Sequence, residues 1–202
     1  MSAIFGLFGC GVLVLAVVAT LLRLQRFPPG ARIAVMLAGA FALFAPFGDL
    51  SGAAFVRGVT GDLSMTTLVL AGAACVARLT GRTVIEPREL RALCWLVAAA
   101  AAFLYPFALG WTRFDSYALG YGSIGFVTVL LLVTLAAWRL RRNVVVLVVV
   151  FAALAYCIGA YDSRNLWDYL IDPLAALYAL VWLLPDARRR SREVAAARAG
   201  TA

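Results

Sequence analysis

Between two long apolar runs the chain reads Tyr161-Asp162-Ser163-Arg164-Asn165-Leu166-Trp167-Asp168-Tyr169-Leu170-Ile171-Asp172-Pro173. This polar stretch holds three of the ten acidic residues in the sequence. Two of them, Asp168 and Asp172, are four residues apart, which is about one turn of an α-helix. The spacing predicts that both carboxylates lie on one face of a helix that continues into the apolar run that follows.

The composition of the whole chain is that of a membrane protein. Its 202 residues are 64% hydrophobic and 14% charged, and the mean hydropathy is +0.95. Soluble domains carry about 25% charged residues. The apolar residues here form long blocks rather than amphipathic stripes. Such blocks are typical of membrane spans, because a backbone surrounded by lipid must satisfy its own hydrogen bonds.

We interpret seven apolar runs as membrane spans. They cover approximately Ile4–Leu22, Ile33–Phe47, Leu63–Ala77, Ala92–Leu109, Leu119–Trp138, Val144–Ala160 and Asn165–Leu184. The predicted fold class is therefore all-α: a polytopic transmembrane helical bundle of about seven helices, with its N-terminus outside and its C-terminus in the cytoplasm. We expect residues 1–186 to form a single transmembrane domain. Residues 187–202 are expected to be a basic, disordered cytoplasmic tail.

The distribution of charge supports this topology. The connections and tail that would lie inside collect fifteen arginines and four acidic residues, a net charge of +11. The outer connections collect three arginines and six aspartates, a net charge of −3. This asymmetry follows the positive-inside rule. Arginine is the only basic residue and Ala and Val are abundant, which suggests a GC-rich bacterial source and hence a multi-pass protein of the bacterial inner membrane.

The first run could be mistaken for a secretory signal peptide. However, no basic residue precedes it, and Arg23 and Arg26 follow it. A signal peptide has the opposite polarity. We therefore expect the run to be a retained span.

The depth of the two aspartates makes them candidates for a site. If the seventh span ends near Leu184, Asp168 lies about one turn inside the outer boundary and Asp172 about two turns, or roughly 10 Å. A helix bent at Pro173 would satisfy this geometry. An ionised carboxylate at that depth has to face the bundle and be paired or neutralised. Arg164, four residues before Asp168, is a candidate partner, as are the outer arginines.

The predicted site is a periplasm-facing cluster of aspartate and arginine side chains. Its members are Asp49, Arg57, Asp62, Arg113, Asp115, Asp162, Arg164, Asp168 and Asp172. Three interpretations remain open: a salt-bridge cluster that fixes the packing of the loops, a binding pocket, or a catalytic site. Carboxylates also suit Mg²⁺ or Ca²⁺, but no spacing here resembles a metal-binding loop, so we predict neither a metal nor a cofactor.

Several kinds of chemistry are disfavoured by composition. The chain has no Lys and no His, so it lacks Schiff-base chemistry, the usual general base and the commonest metal ligand. We predict no catalytic residue. The arginines cluster between apolar runs rather than along one face, which argues for membrane topology and against nucleic acid as a partner.

The predicted function is that of a non-enzymatic accessory subunit, or of a protein that binds a lipid or lipid-linked intermediate through the Asp/Arg cluster. Membrane lipids are the expected partners, and another membrane protein subunit is the alternative partner. One alternative is a small transporter or flippase that uses the outer acidic pocket as an entry site. Another is a membrane enzyme that acts on lipid head groups, with Asp168 or Asp172 as the base.

Overall fold

The computed structural model describes residues 2–48, 50–110 and 113–185, and within them every long element is an α-helix. In chain order the helices are α1 Ser2–Leu21, α2 Pro29–Phe44, α3 Gly52–Thr60, α4 Met65–Thr80, α5 Pro87–Ala108, α6 Ile124–Arg139, α7 Asn143–Cys157, α8 Leu166–Leu170 and α9 Pro173–Pro185. Short 3₁₀ turns occupy Leu24–Arg26 and Tyr117–Gly120, and β1 Pro46–Phe47 pairs antiparallel with β2 Leu50–Ser51. The predicted all-α class is confirmed.

Two of the described helices are long and apolar enough to cross a membrane. They are α1, over Ile4–Leu21, and α5, with 22 residues. The helices α2, α4, α6 and α7 are apolar but have only 15 or 16 residues. At 1.5 Å per residue these rise about 24 Å, less than the roughly 30 Å of a hydrocarbon core. The predicted basic tail, residues 187–202, lies outside the described residues.

The expected connection between the second and third spans contains a helix that the sequence analysis missed. Helix α3 occupies nine residues there. It begins after Ser51, whose hydroxyl accepts a hydrogen bond from the backbone N–H of Ala54 (3.2 Å). Two glycines and one arginine in nine residues weaken its apolar pattern, so the sequence of this helix resembles that of a loop.

The expected bent helix across Pro173 is wrong. Helix α8 ends at Leu170, Ile171 is extended (φ −144°, ψ 141°), and α9 begins at Pro173. Proline disfavours helical geometry in the residue before it and is well suited to the first position of a new helix. Asp172 and Asp168 therefore belong to different structural elements and do not share a helix face.

The main core is formed by α5, α7, residues 160–171 and α9. Its most buried members include Leu93, Ala152 and Tyr169, each at most 1% exposed. A smaller cluster joins α1 to α4 through Ala16, Ala71 and Cys75. The apolar and aromatic residues between Tyr161 and Ile171 are thus part of the core, while Asp162 and Arg164 are exposed.

Gly120 permits a close approach between the 3₁₀ turn and this buried stretch. A Cβ atom at Gly120 would lie 1.7 Å from Oδ1 of Asn165 and 2.8 Å from Cδ1 of Trp167. Asn165 is fully buried, so it has no room to withdraw. Only glycine fits at this contact.

We expect Gly120→Ala to lower the free energy of unfolding by about 1–3 kcal/mol, the usual cost of overpacking a core. Gly125→Ala is the matched control, because a Cβ atom at Gly125 would lie 3.8 Å from Oγ of Ser123, an ordinary van der Waals contact. Thermal unfolding of the purified variants measures both changes. Equal unfolding temperatures for the two variants would contradict the contact.

Candidate functional site

Asp172 is a buried carboxylate that joins the N-termini of two helices. Its Oδ2 accepts a hydrogen bond from the backbone N–H of Ser64 (2.8 Å). Its Oδ1 accepts from the hydroxyl of Thr67 (2.8 Å) and from the backbone N–H of Ala175 (2.7 Å). Ser64 is the N-cap of α4, and Ala175 lies in the first turn of α9. One side chain thus caps α9 and is bonded to the start of α4.

This arrangement compensates a negative charge without a cation. The N-terminus of a helix carries a partial positive charge and unsatisfied N–H groups, and hydrogen bonds to a carboxylate are strong. Within the described residues the ion pairs are Arg57–Asp62 and Arg88–Glu86, so Asp172 has no arginine partner. The expected compensation by an outer arginine is replaced by two helix ends.

Asp168 is held by a different part of the chain. Its Oδ2 accepts hydrogen bonds from the phenol of Tyr117 (2.8 Å) and from the hydroxyl of Ser163 (2.5 Å). Burial and, secondarily, the neighbouring Asp168 carboxylate raise the pKa of Tyr117 above its usual range. Tyr117 therefore stays a hydrogen-bond donor at neutral pH, and Asp168 keeps both of its partners.

The rest of the stretch is anchored to the same 3₁₀ turn. Asn165 caps α8 by accepting from the N–H of Trp167 (2.9 Å), and its amide donates to the carbonyl of Tyr117 (2.8 Å). The indole of Trp167 donates to the carbonyl of Ser116 (3.0 Å). Sequence analysis missed Asn165, although a polar residue at the start of an apolar helix is the usual signal for a cap.

Residues 161–172, which we call the anchored segment, are also tied to the start of α4. The phenol of Tyr161 donates to the carbonyl of Leu63 (2.6 Å), and the hydroxyl of Thr66 donates to the carbonyl of Leu170. The rings of Tyr161 and Tyr169 stack with centroids 4.9 Å apart. Sequence analysis missed Ser64, Thr66 and Thr67 as partners. Their signal was a short polar patch at the head of an apolar run.

Arg57 and Asp62 form a separate, bidentate ion pair. Nε of Arg57 lies 2.7 Å from Oδ1 of Asp62, and its second guanidinium contact is 3.2 Å. The hydrogen bond that Arg57 donates to Asp62 raises the pKa of Arg57. The pair lies against Gly6 of α1, where a Cβ would be 2.1 Å from Asp62. It lines an open cavity of about 460 Å³.

The predicted site residues therefore divide into several groups. Arg57 and Asp62 are paired, while Asp168 and Asp172 are bound by different neighbours. The exposed members are Arg113, Asp115, Asp162 and Arg164. Of these, Asp115 caps the 3₁₀ turn by accepting from the backbone N–H of Tyr117 (2.9 Å). Asp49 lies outside the described residues.

No family model, no curated protein and no solved structure matches this chain.

We expect Asp172→Ala to lower the free energy of unfolding by at least about 3 kcal/mol. The substitution leaves three buried donors without an acceptor and removes the cap of α9. Asp162→Ala is the matched control, because Asp162 is in the same segment but its side chain is exposed. Thermal unfolding in detergent compares the two. A stable Asp172→Ala protein would show that the capping bonds contribute little.

Proposed function

We propose that this chain is a multi-pass protein of a bacterial inner membrane and acts without catalysis, as an accessory subunit or a lipid binder. The supporting observation is how the polar groups of the anchored segment are used. Asp172 accepts three hydrogen bonds and Asp168 accepts two, all from groups of the fold itself. Carboxylates engaged in this way are poor candidates for a general base or an ion-entry site, which the enzyme and transporter alternatives require.

The outer surfaces of the helices support a lipid environment. Large apolar side chains are exposed on α1, α2, α6 and α9, among them Phe41 (78% exposed) and Ile124 (85%). Water would make such exposure costly over so many helices. Several helices are shorter than a full crossing, among them α9, which rises about 20 Å and is preceded in the chain by the five-residue helix α8.

The proposed topology has seven crossings with an outside N-terminus. It can be tested with single cysteines introduced at exposed positions in a Cys157→Ala background. Tyr121→Cys and Asp162→Cys should react with a membrane-impermeant maleimide in intact cells. Val84→Cys and Leu140→Cys should react only after permeabilisation. None of these changes removes an arginine, so the charges that set the orientation stay in place. Labelling of position 140 in intact cells would overturn the topology.

The non-catalytic role makes a separate prediction. Asp168→Asn keeps an oxygen that can accept from Tyr117 and Ser163, but it cannot act as a base. We expect this variant to complement any envelope defect of a deletion strain as fully as Asp162→Asn does. Loss of complementation by Asp168→Asn alone, with an unchanged unfolding temperature, would favour the enzyme alternative.

A further inference from the structure

Two neighbouring cavities lie along α4, one apolar and one cationic, and together we call them the cleft. The apolar part has a volume of about 420 Å³ and lies between α1, α4 and α9. The cationic part has a volume of about 300 Å³ and is lined by Arg78 and Arg82. The two parts share Leu70, Ala74 and Tyr178 as lining residues, so they are adjacent along α4.

The length of the cleft matches one leaflet of a bilayer. Along α4 its lining residues extend from Thr67 to Arg78. Eleven helical steps rise about 16 Å. This is about half of a hydrocarbon core of roughly 30 Å. An extended acyl chain from one leaflet would therefore fill it.

The polar end of the cleft is complementary to an anionic head group. Arg78 and Arg82 line it, and neither part of the cleft has an acidic residue among its described lining residues. The guanidinium of Arg78 makes one long contact, 3.4 Å from Nε to the hydroxyl of Thr20. Gln25 also lines this end, and its side-chain oxygen is buried with no hydrogen-bond partner among the residues that the structure describes. Buried oxygens are usually hydrogen-bonded, so this one is a candidate acceptor for a hydroxyl group.

We propose that this cleft binds an anionic phospholipid of the inner leaflet. One acyl chain lies along α4, the phosphate lies between Arg78 and Arg82, and a head-group hydroxyl donates to Gln25. Basic pockets between helices on the cytoplasmic side are suited to such head groups. The assignment to the inner leaflet rests on the proposed topology. The site is on the opposite side of the membrane from the Asp/Arg cluster.

Native mass spectrometry tests the proposal on the full chain, reconstituted with equal amounts of phosphatidylglycerol and phosphatidylcholine. We expect the wild type to retain phosphatidylglycerol at least about tenfold more than phosphatidylcholine, because two arginines together attract the net negative charge that phosphatidylcholine lacks. The double variant R78Q/R82Q should lose the preference. The control R26Q/R139Q removes two exposed arginines of the same side that do not line the cleft, and it should keep the preference.

A third variant separates a lipid from a free anion. Ala74→Phe narrows the shared part of the cleft, so it should reduce retention of phosphatidylglycerol while leaving Arg78 and Arg82 in place. Unchanged retention in Ala74→Phe would mean that no acyl chain occupies the cleft. Equal retention of the two lipids by the wild type would overturn the proposal. This measurement does not depend on whether any variant folds.

The failure of this proposal can be told from failure of the proposed function. Labelling of position 84 in intact cells would place the arginines outside and overturn the topology, whereas the head-group preference would survive. A correct topology without any head-group preference would overturn the cleft alone.

Discussion

The structure depends on satisfying the ends of helices that lie among apolar side chains. An α-helix leaves N–H groups free at its start and carbonyls free at its end, and neither finds water in such surroundings. Helix α4 shows both solutions. The Asp172 carboxylate binds at its N-terminus, and the Arg32 guanidinium donates to the carbonyl of Leu79 at its C-terminus (3.1 Å). Each charge has the sign that the helix dipole favours at that end.

A similar solution recurs between α5 and α7. Glu89, in the first turn of α5, is buried and accepts a hydrogen bond from the backbone N–H of Val144 at the start of α7 (3.1 Å). Asp172 and Glu89 thus share a role: each carboxylate accepts a hydrogen bond from a backbone N–H at the start of a helix that is distant in the chain. Caps of this kind fix how two helices meet, because the carboxylate must reach a backbone group at one particular level. The buried acids therefore specify the level at which helices meet. Apolar side chains alone, as on α6 and α7, specify this level poorly.

Sequence patterns predicted the positions of the helices better than the partners of their polar residues. The apolar runs gave the all-α class because hydrophobicity is a local property. The sequence also indicated the break before Pro173, since an aspartate followed by proline is a common start of a helix. The length needed for a full crossing predicted a continuous helix instead. The bonds from Asp172 to Ser64 and Thr67 span more than a hundred residues. No local pattern encodes such a pairing, and charge alone suggested an arginine instead.

The proposed topology and the proposed lipid site assign arginine two physically different roles. In that topology an exposed arginine such as Arg139 sets the orientation by its charge alone, and its exact position matters little. Arg78 and Arg82 carry the same charge, but they line the cationic part of the cleft along α4. In the proposed lipid complex, the phosphate is attracted by two cations. The acyl chain lies in a groove of matching length rather than in the bulk lipid. Position relative to an apolar groove, rather than charge, distinguishes a ligand site from a determinant of topology.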